Sequence, residues 1–348
     1  MNMAWEEFLA TQGYALQDLR ATGLAPHWQS DALQTGFVAP LTDLGLIQLT
    51  GEDAASFLHN QLSNDVEHLS AAEVRRAAYC TAKGRMLASL LYWKNEQGIV
   101  LQLSKTIQAS VQKRLQMYVL RAKAKLLDIN AENVILGLGG AATENGLQTW
   151  FPQLPTEPNT QVNNQFGHLL RLPDANHSPR FQWICNIETA QQAWPVLNKK
   201  LQALNTSAWR VTEIQAGIPQ ILLGTQEQFV PQMVNFELIG GVNFKKGCYP
   251  GQEIVARSQY LGKLKRRMTL ALIDSSEVMA GNEIFNSNDP DQPCGMVVNA
   301  EADQIDRSLA LIEMKLSDQE TGELRLGSAT GHKIQLLPLP YAITDITQ

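Results

Sequence analysis

After Lys265 the apolar residues come in short runs: Met268–Ile273, Gly295–Val298, Leu309–Met314 and Lys333–Leu337. Turn clusters such as Asn286–Asp291 and Gln319–Gly322 separate them. Runs this short are too brief for packed helices but suit strands. Closely spaced strands leave no exposed edge when the sheet closes on itself. The pattern predicts a small antiparallel β-barrel over residues 268–348.

The stretch before it mixes helical and strand periods, which predicts an α+β fold, not a doubly wound parallel sheet. Residues 4–20 place Trp5, Phe8, Leu9, Leu16 and Leu19 at helical spacing around Gly13, so residues 1–40 read as a helical N-terminal extension. Strands are expected at Leu46–Leu49, Val74–Cys80, Met86–Trp93, Ile99–Leu103, Lys125–Ile129, Val134–Leu138 and Phe181–Ile187. Thr50-Gly-Glu-Asp53 reads as a helix cap for Ala54, Phe57, Leu58 and Leu62. Further helices are expected at Thr106–Leu120, Thr189–Leu204 and Ser207–Ala216. Residues 148–179 are rich in Pro, Asn, Gln and Thr and read as an excursion between two halves of a unit spanning 41–267.

The 348 residues carry a net charge of −6, with 18% charged residues, so the chain is neither disordered nor a generic nucleic-acid binder. Cys80, Cys185, Cys248 and Cys294 are widely spaced and form no CxxC. The six histidines are scattered without an HExxH, which argues against a mononuclear metal enzyme. Gly137-Leu-Gly-Gly140 lacks the full dinucleotide fingerprint and reads as a turn. The N-terminus has no basic segment followed by a continuous apolar one, and no apolar run has the length of a membrane span. A cytoplasmic location with reduced thiols is expected.

One segment stands apart: Asn243-Phe-Lys-Lys-Gly-Cys-Tyr-Pro-Gly-Gln-Glu-Ile-Val-Ala-Arg257. Lys245 and Lys246 put positive charge beside Cys248, and a helix is expected to start at Pro250 or Gly251. Neighbouring cations and a helix N-terminus both favour thiolate, the reactive form of cysteine. Gly247 and Gly251 remove side chains where a ligand needs close backbone approach. From Asn243 to Met268 there are seven basic residues (Lys245, Lys246, Arg257, Lys263, Lys265, Arg266 and Arg267) and one acid, Glu253. A basic island in an acidic chain points to an anionic partner.

Lys246-Gly-Cys-Tyr-Pro-Gly-Gln-Glu253 resembles the signature of the YgfZ family, folate-binding proteins related in fold to the aminomethyltransferase (T-protein) of the glycine cleavage system. The likeness extends to Leu49–Leu58 with Asn64-Asp-Val66, to Trp209–Pro219, to Phe229–Asn235 and to Pro338–Tyr341; residues 1–40 lie outside it. It implies two ferredoxin-like α+β lobes and a C-terminal barrel around a central folate pocket. It also implies a role in assembly or repair of iron–sulfur enzymes, including those that thiolate tRNA. Tetrahydrofolate or a one-carbon derivative would be the cofactor, and iron–sulfur client enzymes the partners. Cys248 and Lys246 would act at the reactive centre. Trp209, Arg257, Glu253, Gly247, Gly251 and Gln252 would hold folate, with Trp209 stacked on a ring.

Two positions depart from the relatives. The transferases carry an Asp pair in the early hairpin, where this chain has Arg85-Met-Leu-Ala-Ser-Leu90, and Leu44 stands where some bacterial relatives have a folate-contacting Trp. Cleavage of a folate C–N bond needs an acid that Leu or Ala cannot supply. A one-carbon transferase that has recruited another acid is therefore the second reading. An RNA-binding module built on Lys245–Arg267 is the third, disfavoured by the acidic remainder.

Overall fold

The computed structural model describes residues 3–24, 30–260, 264–304, 306–319 and 321–344. It is a mixed α/β structure with two larger sheets and a closed barrel. The first sheet has the strand order Val74–Cys80, Met86–Asn95, Gly98–Ser104, Leu44–Thr50, Lys125–Asp128, all antiparallel. The helix Lys105–Val119 buries Ile107, Val111 and Leu115, the i, i+4, i+8 face that its period provides.

The second sheet runs Thr160–Asn164, Gly167–Ala175, Ser178–Cys185, Val134–Gly139, Phe37–Pro40, Gln202–Ala203. Residues 148–179 are thus no simple excursion: they supply the edge hairpin of this sheet. Thr160–Asn164 escaped notice because an edge strand with polar residues on its open side shows no apolar run. Gly137 lies inside a strand, not a turn, and a Cβ there would stand 2.6 Å from the Trp209 ring.

The N-terminal extension is only partly helical. Its helix, Met3–Thr11, is followed by a hairpin of Ala15–Gln17 and Arg20–Thr22, and Phe37–Pro40 enters the second sheet. Gly13 and the turn at Asp18-Leu19 adopt positive φ, which ends the helical period. The expected cap at Thr50 also differs. The helix starts at Ala54 with Asp53 as N-cap, and the Asp53 carboxylate takes the Lys123 N–H instead of a helix N–H.

The six-stranded barrel closes in the order Arg266–Ile273, Arg307–Lys315, Asp289–Gln304, Glu283–Asn286, Leu324–Leu326, His332–Leu337. Several contacts join it to the rest. The Tyr341 hydroxyl donates to Gly217 O at 2.8 Å, where any larger residue at 217 would strike the tyrosine ring. Arg267 pairs with the buried Glu237, and Asn235 donates to Met268 O at 2.8 Å. No helix among the described residues is long and apolar enough to cross a membrane.

Candidate functional site

The Cys248 loop is pinned from three directions. Asn243 N donates to Ser63 O at 2.9 Å, and Lys245 N closes a turn onto the Asn243 side chain at 2.8 Å. Gly251 has φ +84°, and a Cβ there would lie 2.4 Å from Thr81 O and 2.6 Å from Gly84 Cα. The glycine therefore serves contact with the Thr81–Gly84 hairpin turn, not room for a ligand. Just beyond, Gln252–Tyr260 forms the expected helix, one residue later than Gly251.

Cys248 is exposed, whereas Cys80, Cys185 and Cys294 are buried. Lys246 does not point freely at the thiol. Its ammonium donates to His59 O and to Leu62 O, the latter at 2.9 Å, and lies 4.8 Å from the centre of the Tyr249 ring. Burial pulls its pKa down to about 8, against the opposite pull of Asp65, Cys248 and Glu67. His59 Nδ1 faces Asp65 Oδ1 at 3.1 Å, and its Nε2 stands 3.7 Å from where a Cβ on Gly247 would be. Burial alone would raise the Asp65 carboxyl, but bonds from His68 and the nearby imidazoles hold it below the usual range. Thiol, lysine and a carboxylate–histidine pair thus gather on one face.

The other motif residues are more dispersed. Gln252 reaches back to Lys246 O at 3.5 Å, while Glu253 and Arg257 are exposed along the helix. The basic island is largely consumed inside the fold. Lys246 binds carbonyls, Arg266 pairs with Glu313 and Arg267 with Glu237, leaving Lys245, Arg257 and Lys265 exposed. Lys263 lies outside the described residues. Trp209 is fully buried, with the Arg180 guanidinium 5.0 Å from its ring centre on one side and Gly137 against it. It lines none of the three cavities described below.

Three cavities follow one another through the junction of the two lobes and the barrel. The first, about 590 Å³, is lined by Arg20, Asp43, Arg210, Glu213, Met279 and Glu301 among others. It shares Glu213, Ile218 and Gln220 with an inner cavity of about 40 Å³. The inner one shares Arg76 with a third of about 550 Å³, bordered by Asp65 and by Asn243 of the cysteine loop. The inner walls carry Gln102 and Gln182; Gln102 Oε1 and both amide atoms of Gln182 are buried without a partner. Such groups are rare in folded proteins and call for a ligand or water with matching donors and acceptors. Sequence reasoning missed Gln102, Gln182, Arg76, Arg180 and His59. The available signal was a single polar residue within an otherwise apolar strand, as in Ile99-Val-Leu-Gln-Leu103 and Phe181-Gln-Trp-Ile184.

This combination of two lobes, barrel and central cavities is the aminomethyltransferase fold. The structure of glycine cleavage aminomethyltransferase T from Bartonella henselae matches it with a TM-score of 0.73 and 13% identity, covering 91% of this chain and 88% of that one. No family model matches the sequence. A tRNA-modifying protein YgfZ of Photorhabdus laumondii is 32% identical over 313 residues, covering 88% of this chain and 92% of its own length. Another of that name, from Cronobacter sakazakii, is 31% identical and covers 88% of this chain and 93% of its own length. The chain belongs to the YgfZ family.

Proposed function

We propose that this chain is a folate-binding protein that acts in tRNA modification by supporting assembly or repair of iron–sulfur enzymes, with Cys248 as its functional thiol. The tRNA connection comes from the name its relatives carry. The observation that carries the folate reading is the unpartnered, buried amide of Gln182 beside the unpartnered Gln102 Oε1 on the wall of the inner cavity. A pterin presents an edge of alternating donors and acceptors, which such amides can complement, and the adjoining cavity of about 590 Å³ has the size of a small-molecule site.

When bound, a reduced folate supplies a carrier for a one-carbon unit. This chain's residues bind and orient. The amides fix a heterocycle edge, Lys246 ties the cysteine loop to the carbonyls of residues 59 and 62, and His59 Nε2 lies beside Gly247, the residue before the thiol. A transferase reading needs an acid at the reacting nitrogen. Leu87 and Ala88 are apolar and buried, and Glu213, which lines both inner and outer cavities, already accepts a bond from Arg210. An RNA-binding reading loses Lys246, Arg266 and Arg267 to internal partners.

Calorimetric titration with tetrahydrofolate tests the proposal. Saturable binding is expected, weakened by Gln182→Leu. No heat of binding up to millimolar ligand would overturn the folate reading.

A further inference from the structure

Four arginines (Arg20, Arg76, Arg180 and Arg210) and three acids (Asp43, Glu213 and Glu301) meet at the centre, one charge out of balance. Arg210 bonds to both Asp43 and Glu213. Arg76 and Arg180, both buried, have no carboxylate within salt-bridge distance among the described residues, and the acid whose charge steadies both is the Glu213 already bonded to Arg210. Arg76 donates from Nη1 to Asn159 Oδ1 at 2.7 Å. Arg180 donates to Pro173 O and Thr212 Oγ1, and its Nη2 has no partner. The acids nearest Arg76 in the third cavity are already engaged: Glu73 by Arg75, Asp65 by His59 and His68. Burial draws Arg76 down to about 10 and Arg180 to about 9, so both stay charged at neutral pH. A buried guanidinium with neutral partners only is costly, and a carboxylate in bidentate contact is the group that best offsets that cost.

Arg76 lines both the inner cavity, with the amides of Gln102 and Gln182, and the third chamber, with Asp65 and Asn243. We infer that Arg76, reinforced by the charge of Arg180, is the receptor for a carboxylate of the bound ligand. With folate this carboxylate is that of the glutamate tail. The inference rests on the folate reading above, and it differs from the expectation that Arg257 holds folate, because Arg257 is exposed on its helix.

The test compares tetrahydrofolate with its glutamate dimethyl ester, which keeps the heterocycle, ring and amide but carries no carboxylate, by calorimetry on the full chain. Tetrahydrofolate is expected to bind wild type at least tenfold more tightly than the ester. Arg76→Gln is expected to remove that difference while leaving ester affinity within about twofold; Arg257→Gln should leave both affinities within about twofold. The wild-type comparison needs no variant, so it stands even if Arg76→Gln fails to fold. Equal affinity of acid and ester on wild type overturns the inference while sparing the folate reading. Equal weakening of both ligands by Arg76→Gln assigns Arg76 to the heterocycle and overturns it as well. Binding of neither ligand to wild type overturns the folate reading and this inference with it.

Discussion

Gly247 and Gly251 bracket Cys248 and look equivalent in the sequence, yet the structure assigns them different energies. At Gly251 the backbone has φ +84°, and an added Cβ would meet Thr81 O at 2.4 Å, Gly84 Cα at 2.6 Å and Gly84 N at 2.7 Å. All three are backbone atoms that no side-chain rotation can move. Placing an L-residue in the left-handed region costs roughly 1–2 kcal/mol. Forcing a methyl into a closed contact adds roughly 1–3 kcal/mol. Gly251→Ala is therefore expected to lose about 2–5 kcal/mol, by adding those two terms. At Gly247 the nearest atom to a Cβ is His59 Nε2 at 3.7 Å, an ordinary contact. Gly247→Ala is expected to stay within about 0.5 kcal/mol of wild type. Urea unfolding followed by circular dichroism reads the difference. With a slope of about 3 kcal/mol per molar, a loss of 3 kcal/mol lowers the midpoint by about 1 M. If Gly251→Ala moved the midpoint by less than about 0.2 M, or if both variants fell equally, the docking of the cysteine loop on the Thr81–Gly84 turn would be refuted.

Three further outcomes follow from the same geometry. A thiol reagent at pH 8 should modify Cys248 rapidly in the folded protein and the other three cysteines only after denaturation, because Cys80, Cys185 and Cys294 are buried and burial pushes Cys80 to about 12 and Cys294 to about 11; mass spectrometry of the labelled peptides checks it. Lys246 has a folded pKa lowered to about 8 from 10.5, so the unfolded chain binds more protons between those values. Wild type should therefore gain stability relative to Lys246→Met as pH rises from 8 to 10.5, and lose that gain as pH falls through 8, measured as urea midpoints along a pH series. Arg267→Met should cost about 3–5 kcal/mol by stranding the buried Glu237 carboxylate, and Arg267→Met with Glu237→Met should recover most of the loss.

Most strands that carry continuous apolar runs were legible in the sequence to within a residue or two, but the strand expected at Phe181–Ile187 is Ser178–Cys185, and Gly295–Val298 is only the middle of Asp289–Gln304. The barrel and the helix after Cys248 were legible too. What escaped were elements whose partners lie far off in the chain. Phe37–Pro40 belongs to the second sheet only because Val134–Gly139 receives it, and Thr160–Asn164 is a strand only because Gly167–Ala175 folds back on it. The site divides in the same way. The cysteine loop is local and its motif is contiguous, so its position on an exposed face could be read. The charge of its surroundings could not, because Glu237 and Glu313 reach Arg267 and Arg266 from other elements and cancel much of the apparent basic island. Gln102 and Gln182 come together from different sheets, and no local pattern announces a cavity built that way.

The claim that joins these parts is that Cys248 is a working thiol of a tRNA-modification accessory protein. It is tested by quantifying thiolated tRNA nucleosides by mass spectrometry in a strain lacking its own YgfZ-family gene, complemented with this chain or its Cys248→Ala variant. Wild type should restore the nucleosides, and Cys248→Ala, with an unchanged urea midpoint and unchanged tetrahydrofolate affinity, should not. Full restoration by Cys248→Ala would contradict the account and make the thiol a structural residue of its loop.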